Sequence, residues 1–131
     1  MNSQRINPDG LHKPIGCYSQ VVRRGNFVAV SGMVAIDEAG NVVGPNDVAA
    51  QTVQTIKNLQ VALAGMGAQL EDVIKATIYL SDFAHYSEMD AAYRRFFGAF
   101  PPARATVRVD LVYPTLLVEI EAWAILPEVS T

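Results

Sequence analysis

Near the C-terminus, two β-like runs carry charge where apolar residues dominate. In PPARATVRVDLVYPTLLVEIEAWAI, residues 101–125, Arg104 opens one run and Glu119 lies inside the other, fifteen positions on. A guanidinium stays charged at any working pH, and its planar donor fork matches a carboxylate. Glu119 follows Leu117 and Val118 and precedes Ile120. A carboxylate in such a run must meet water, a cation or a substrate, because an unpaired buried charge is costly. Together the two could form a cleft for a small anion with a carboxylate aimed into it. Two readings without chemistry fit the same pattern. Arg104 could be solvated or paired across a subunit interface, and Glu119 could be bridged to Arg104 or Arg108.

Three further places are candidates. Tyr18, in Gly16-Cys17-Tyr18-Ser19-Gln20, offers an aromatic wall and a hydroxyl, or simply core packing. Ser31-Gly32, inside an apolar run, is a small polar break where a ligand could approach the backbone, or where a buried hydroxyl is satisfied. Cys17 has no identifiable histidine partner to activate it and reads as a small core residue. The chain has no GxSxG, no HExxH and no glycine-rich phosphate loop before a helix. Any chemistry is therefore simple acid–base work on water.

Composition narrows the classes. The chain has 131 residues, enough for one core, and the 1–131 span reads as one domain with an irregular arm over residues 1–14. Half the residues are hydrophobic and 18% are charged, a globular balance. A net charge of −3 gives no basic face for nucleic acid, and Arg23-Arg24 and Arg94-Arg95 read as isolated, solvated pairs. No apolar run approaches the roughly 18–20 residues that span a bilayer, and the N-terminus lacks the apolar centre of a signal peptide. One cysteine excludes an intrachain disulfide and suits a reducing, cytoplasmic compartment. His12 and His85 show no metal-ligand spacing.

The elements that must position these residues follow from periodicity. Strands are expected over 16–22, 27–36, 73–80, 104–109 and 117–125. Asn46 or Asp47 caps a helix whose apolar stripe is Val53, Ile56, Leu59 (or Gln60) and Leu63, with Gly65 and Gly67 supplying the left-handed stop. Ser81 or Asp82 caps a second helix that buries Tyr86, Met89, Tyr93 and Phe96 or Phe97. On 73–80, Ile74, Ala76, Ile78 and Leu80 face one way. On 117–125, Val118, Ile120, Ala122 and Ala124 face the helices, and Leu117, Glu119, Glu121, Trp123 and Ile125 face away. The order β-β-α-β-α-β-β is α+β, one mixed sheet with both helices on one face. Two helices leave the second, largely apolar face uncovered, which implies a homo-oligomer.

The pattern also resembles a known family. Pro102-Ala103-Arg104-Ala105-Thr106-Val107, followed by Val118-Glu119-Ile120-Glu121-Ala122, is similar to the C-terminal signature of the RidA/YjgF family of reactive imine and enamine deaminases. Gly16 to Gln20 resembles its glycine–tyrosine segment, Val30-Ser31-Gly32 its serine–glycine strand, and Ala49 to Gly67 and Tyr93 to Phe97 its two helices. The resemblance covers essentially the whole chain. It implies a chorismate-mutase-like subunit in a homotrimer with clefts between subunits. It further implies hydrolysis of 2-imino or enamine acids, such as those derived from 2-aminoacrylate, to 2-keto acids and ammonia without metal or organic cofactor. By the same resemblance Arg104 grips the substrate carboxylate and Glu119 activates water. Tyr18, Ser31, Gly32, Met33, Ala105 and Thr106 line the pocket. Three departures bear on substrate range: Met33 where glutamine is common, Thr106 where cysteine is common, and Asp90 where asparagine is usual. Other readings use the same cleft to bind small carboxylic or keto acids without turnover, or to deaminate a dedicated catabolic intermediate such as 2-aminomuconate. A chaperone-like or nucleic-acid-directed role, claimed for some relatives, sits poorly with the acidic balance.

Overall fold

Period-two alternation in VEIEAWAI puts Val118, Ile120, Ala122 and Ala124 on one face, and all four are fully buried. On the other face Trp123 is 48% exposed. This strand lies inside a six-stranded sheet, seen in a computed structural model that describes residues 2–127. Met1 and residues 128–131, at the ends of the expected domain, lie outside the description.

In chain order the elements are β1 (Gln4–Ile6), β2 (Val21–Arg24), β3 (Phe27–Val34), α1 (Val48–Ala64), β4 (Val73–Leu80), α2 (Tyr86–Phe97), β5 (Ala103–Arg108) and β6 (Val118–Ile125). Across the sheet the order is β1-β2-β3-β6-β4-β5. Neighbours are antiparallel except β4 and β5, which are parallel with α2 as their crossover. The architecture is thus mixed α+β, as the periodicity indicates.

Two differences sit at the N-terminal end. The arm contains a short strand, β1, paired with β2 through Gln4 opposite Arg23 and Ile6 opposite Val21. Residues 16–20 are not strand. The Tyr18 N–H donates to the Gly16 carbonyl at 3.1 Å in a tight bend. The Gln20 N–H donates to Asn7 Oδ1 at 3.0 Å, and its side chain donates to the His12 carbonyl at 2.8 Å. Local turns and side-chain bonds take the backbone groups that a ladder would need.

Helix α1 starts where Asp47 accepts from the Ala50 N–H at 3.0 Å. It ends at Ala64; Gly65 is still helical at φ −60°, and of the two glycines only Gly67, at φ +76°, takes the left-handed turn that favours glycine. Ile56, Leu59 and Leu63 form its buried stripe against the sheet, with Ala62 beside them. Asp82 caps a short 3-10 turn, Phe83–His85, that leads into α2, and Met89, Tyr93 and Phe97 are buried beneath that helix. Tyr86, expected in the stripe, is 38% exposed. The main core lies between both helices and one sheet face. A smaller cluster of Val34, Ile36 and Leu116 packs separately.

Candidate functional site

Glu119 is held at the centre of the sheet. On β6 it lies opposite Val34 of β3 and Tyr79 of β4. The β3–β6 register shifts between Val30 and Met33, so Ser31 and Gly32 form a bulge beside it. A Cβ on Gly32 would lie 2.6 Å from Glu119 Cδ and 2.7 Å from Oε2. No real Cβ contact is that close, so the missing side chain is what leaves room for the carboxylate. Both the Ser31 N–H and its hydroxyl donate to the Gln20 carbonyl, at 3.0 and 3.1 Å, fixing the bulge to the residue that leads into β2.

Two polar side chains of α1 pin the ends of these strands. Gln51 donates to the Gly44 and Thr115 carbonyls at 3.1 and 2.8 Å and accepts from the Leu117 N–H at 2.8 Å. Asn58 donates to the Val34 and Ile36 carbonyls at 2.8 and 2.9 Å. Both are buried.

Neighbouring carboxylates differ sharply in their surroundings. Glu121 accepts from the Tyr79 hydroxyl at 2.5 Å. That bond, with burial and the charges of Glu121 and Glu119, pushes Tyr79 up to about 12. Glu119 enters none of the ion pairs found among the described residues. Burial first, and then the charge of Glu121, raise its carboxyl above the usual range.

Arg104 occupies a different setting. It lies on the edge strand β5, opposite Ala76 of β4, and its side chain points to the helices. Its Nη1 donates to Asp90 Oδ1 at 2.7 Å and its Nη2 to the Tyr86 hydroxyl at 2.6 Å. The guanidinium carbon sits 4.8 Å from the Tyr93 ring centre and 5.7 Å from that of Tyr86. Burial opposes the charge of Arg104, but the Asp90 hydrogen bond and charge, with the tyrosine oxygens beside it, outweigh burial and raise its affinity for the proton. In turn the Arg104 hydrogen bond holds Asp90 below the usual carboxylate range. Burial pushes Tyr93 up to about 12, and its buried hydroxyl has no hydrogen-bond partner among the described residues. A cleft of about 120 Å³ beside the pair is lined by Asp90, Tyr93, Phe97, Pro101 and Arg104.

One chain does not bring Arg104 and Glu119 together. Arg104 shares register with Ala76 and Ala122 on the helix face, whereas Glu119 shares it with Tyr79 and Val107. Two strand spacings and three residues separate their Cα atoms by about 14 Å, with side chains on opposite faces. The bridge from Glu119 to Arg104 or Arg108 is therefore not formed.

Other expected residues scatter. Met33 is 2% exposed, and its side chain is in the main core rather than at a pocket. The bulge at Ser31–Gly32 adds one residue and turns Met33 inward. Thr106 points to the helix face opposite Ile78, while Ala105 is exposed on the other face opposite Thr77. Tyr18 is 40% exposed in its loop, and Cys17, expected in the core, is exposed as well. Sequence reasoning missed Tyr86 and Asp90 as partners of Arg104, although Tyr86, Asp90 and Tyr93 recur at one-face helical spacing. It also missed Gln51 and Asn58, which carry no signal beyond being polar on a helix.

The chain matches known proteins along nearly its whole length. The family model described as Endoribonuclease L-PSP matches residues 10–126. A RutC family protein of Pyrococcus abyssi is 42% identical over 95% of this chain and 98% of its own. The 3-aminoacrylate deaminase RutC of Acinetobacter baylyi is 36% identical, again over 95% and 98%. Among solved structures, the YjgF gene product of E. coli superposes with a TM-score of 0.84 at 31% identity, over 93% of this chain and 98% of that one. E. coli TdcF with bound serine superposes at 0.85 and 26%, with the same coverage. The chain belongs to the Endoribonuclease L-PSP family, the family of YjgF and RidA.

Proposed function

We propose that this protein hydrolyses small 2-imino acids, formed by tautomerisation of enamine acids, to 2-keto acids and ammonia. The observation that carries the reading is Glu119, a half-buried carboxylate with no ion-pair partner among the described residues, seated against the bare backbone of Gly32. A carboxylate raised toward the working pH is a better proton acceptor than an exposed one. The deaminase relative from Acinetobacter baylyi supports the class of reaction. The serine held by TdcF supports a small carboxylate-bearing ligand.

An imine carbon is already electrophilic, so no covalent enzyme nucleophile is needed. Glu119 takes a proton from water as the new C–O bond forms and the C=N π electrons move to nitrogen. The resulting carbinolamine then breaks its C–N bond. Nitrogen receives the proton held by Glu119 and leaves as ammonia, while the hydroxyl gives its own proton back to the Glu119 carboxylate and becomes the keto carbonyl. A placed base of this kind contributes roughly 10²–10⁴-fold. Arg104 fixes the substrate carboxylate and so the angle of attack.

Arg104 and Glu119 lie on opposite sheet faces, so the working cleft is built from two copies. We place it between subunits of a homotrimer. The Ala105 and Thr106 backbone on the free edge of β5, with Tyr18, Ser31 and Gly32, completes the lining. The net charge of −3 does not favour the RNA cleavage that the family's description names.

The test is turnover of enzymatically generated 2-iminopropionate, followed as pyruvate and ammonia release. Wild type accelerates it, and Arg104→Ala loses the acceleration while keeping its oligomeric state. Full activity in Arg104→Ala would overturn the mechanism. Saturable, Arg104-dependent binding of keto acids with no turnover, unchanged in Glu119→Gln, would make the protein a metabolite-binding module instead.

A further inference from the structure

Arg104 does not wait for its ligand as an open cation. One Nη donates to Asp90 at 2.7 Å, the other to Tyr86 at 2.6 Å, and the tyrosine rings of 86 and 93 flank the plane. Nε–H and the second hydrogen on each Nη are left for a substrate. Asp90 also meets Arg94 at 3.3 Å, but the Arg94 side chain is three-quarters exposed and well screened by water. Thus the grip already contains a carboxylate, with Arg104 and Asp90 each only about a quarter or less exposed.

We propose that Asp90 is a specificity-determining residue that makes the Arg104 grip electrically neutral, so that it selects ligands by net charge. This rests on the reading of Arg104 as the substrate's carboxylate grip. Asp90 has two separable effects. Its hydrogen bond holds the guanidinium in place, which helps any ligand that Arg104 binds. Its charge lies across the guanidinium from the incoming carboxylate and repels it. A 2-iminium acid carries a positive nitrogen beside its carboxylate and has no net charge, so it suffers little from this repulsion. A monoanionic keto acid suffers more, and a dicarboxylic acid most. Glu119 and Glu121 add negative charge on the opposite face and push the preference the same way. The substrate class is therefore the monocarboxylic iminium acid with an uncharged side chain, and acidic side chains are selected against.

Asparagine in place of Asp90 keeps an acceptor for Nη1 and removes the charge, while alanine removes both. Calorimetric titration of the assembled protein with 2-oxobutyramide, 2-oxobutyrate and 2-oxoglutarate separates the two effects. In Asp90→Asn, 2-oxobutyrate binding should tighten about five- to tenfold, as expected for a unit charge some 6–7 Å away in a half-wet site. The gain for 2-oxoglutarate should be larger, and 2-oxobutyramide should not change. Asp90→Ala should bind 2-oxobutyrate more weakly than Asp90→Asn, because the guanidinium is no longer held. With 2-iminopropionate, whose iminium form carries no net charge, Asp90→Asn should move KM far less than it moves the binding of 2-oxobutyrate. Arg104-dependent binding that Asp90→Asn leaves unaltered, or changes equally for all three ligands, overturns this inference alone. Binding that does not depend on Arg104 in any variant overturns the grip itself.

Discussion

Glu119 and Arg104 are solved by opposite means. Glu119 sits on an inner strand, where close packing makes its room. Gly32 yields its side-chain volume, Ser31 ties the bulge to Gln20 at the entry of β2, and Gln51 and Asn58 fasten the strand ends from the far side of the sheet. Its charge is left unanswered. Arg104 sits on an edge strand, where packing constrains little, and three side chains of a single helix hold it by direct contact. Its charge is answered before any ligand arrives. The base is thus kept reactive by isolation and the cation kept in place by partners. An uncompensated charge needs the rigid centre of a sheet, whereas a compensated one tolerates the edge.

Mutation can break this contrast at four places. Glu119→Gln has the largest expected effect, a 10²–10⁴-fold fall in kcat for 2-iminopropionate hydrolysis. The same change should stabilise the fold at neutral pH. Burial raises the folded-state pKa of Glu119 above its unfolded value, so the stability it contributes at low pH is lost as pH rises through the folded value. Thermal melts should show Glu119→Gln above wild type at pH 7, with the gap closing as pH falls into the carboxyl range. Equal melting temperatures at pH 7 would mean that the charge is answered after all.

Gln51→Leu comes next. It fills the same space but forfeits three hydrogen bonds, leaving the Leu117 N–H and two carbonyls without that partner. Denaturant titration should show a loss of about 2–4 kcal/mol. A smaller change is expected from Gly32→Ala. The clashing atoms are the end of a flexible side chain, so Glu119 swings aside rather than the sheet breaking. Turnover should fall about tenfold with melting lowered by only about 2–4 °C. Unchanged turnover would remove Gly32 from the site.

The smallest effect belongs to the edge. The Arg104 bond lowers the folded-state pKa of Asp90, so its stability contribution is present above the unfolded carboxyl value and lost as pH falls through the folded one. Asp90→Asn should therefore flatten the acid limb of a stability–pH profile, by about 1 kcal/mol, the scale of a partly exposed pair.

Much of the frame could be read from the chain. The limits of β4 match the expected 73–80 span, the alternation on β6 sorts its two faces correctly, and Asp47 begins α1. What escaped depends on single-residue shifts and distant partners. A register shift between Val73 and Lys75 turns Ile74 outward, to 51% exposure, although alternation alone places it with Ala76. The bulge at Ser31–Gly32 moves Met33 in the opposite sense. Period two cannot reveal where a strand gains a residue. Arg104 and Glu119 were visible as charges out of place, but their faces depend on register across three strands, and Asp90 is joined to Arg104 only by the path of α2.

Trp123 gives the outward sheet face a voice of its own. It is the only tryptophan in the chain, it packs edge-on to Phe27 at 5.7 Å, and half its surface is open in the single subunit. All tryptophan emission therefore reports the face that the proposed assembly covers, with no label attached. An assembled sample should emit toward the blue. Dilution through the dissociation range should move the maximum toward that of a wetted indole, so a fluorimeter can follow the cleft being built and taken apart.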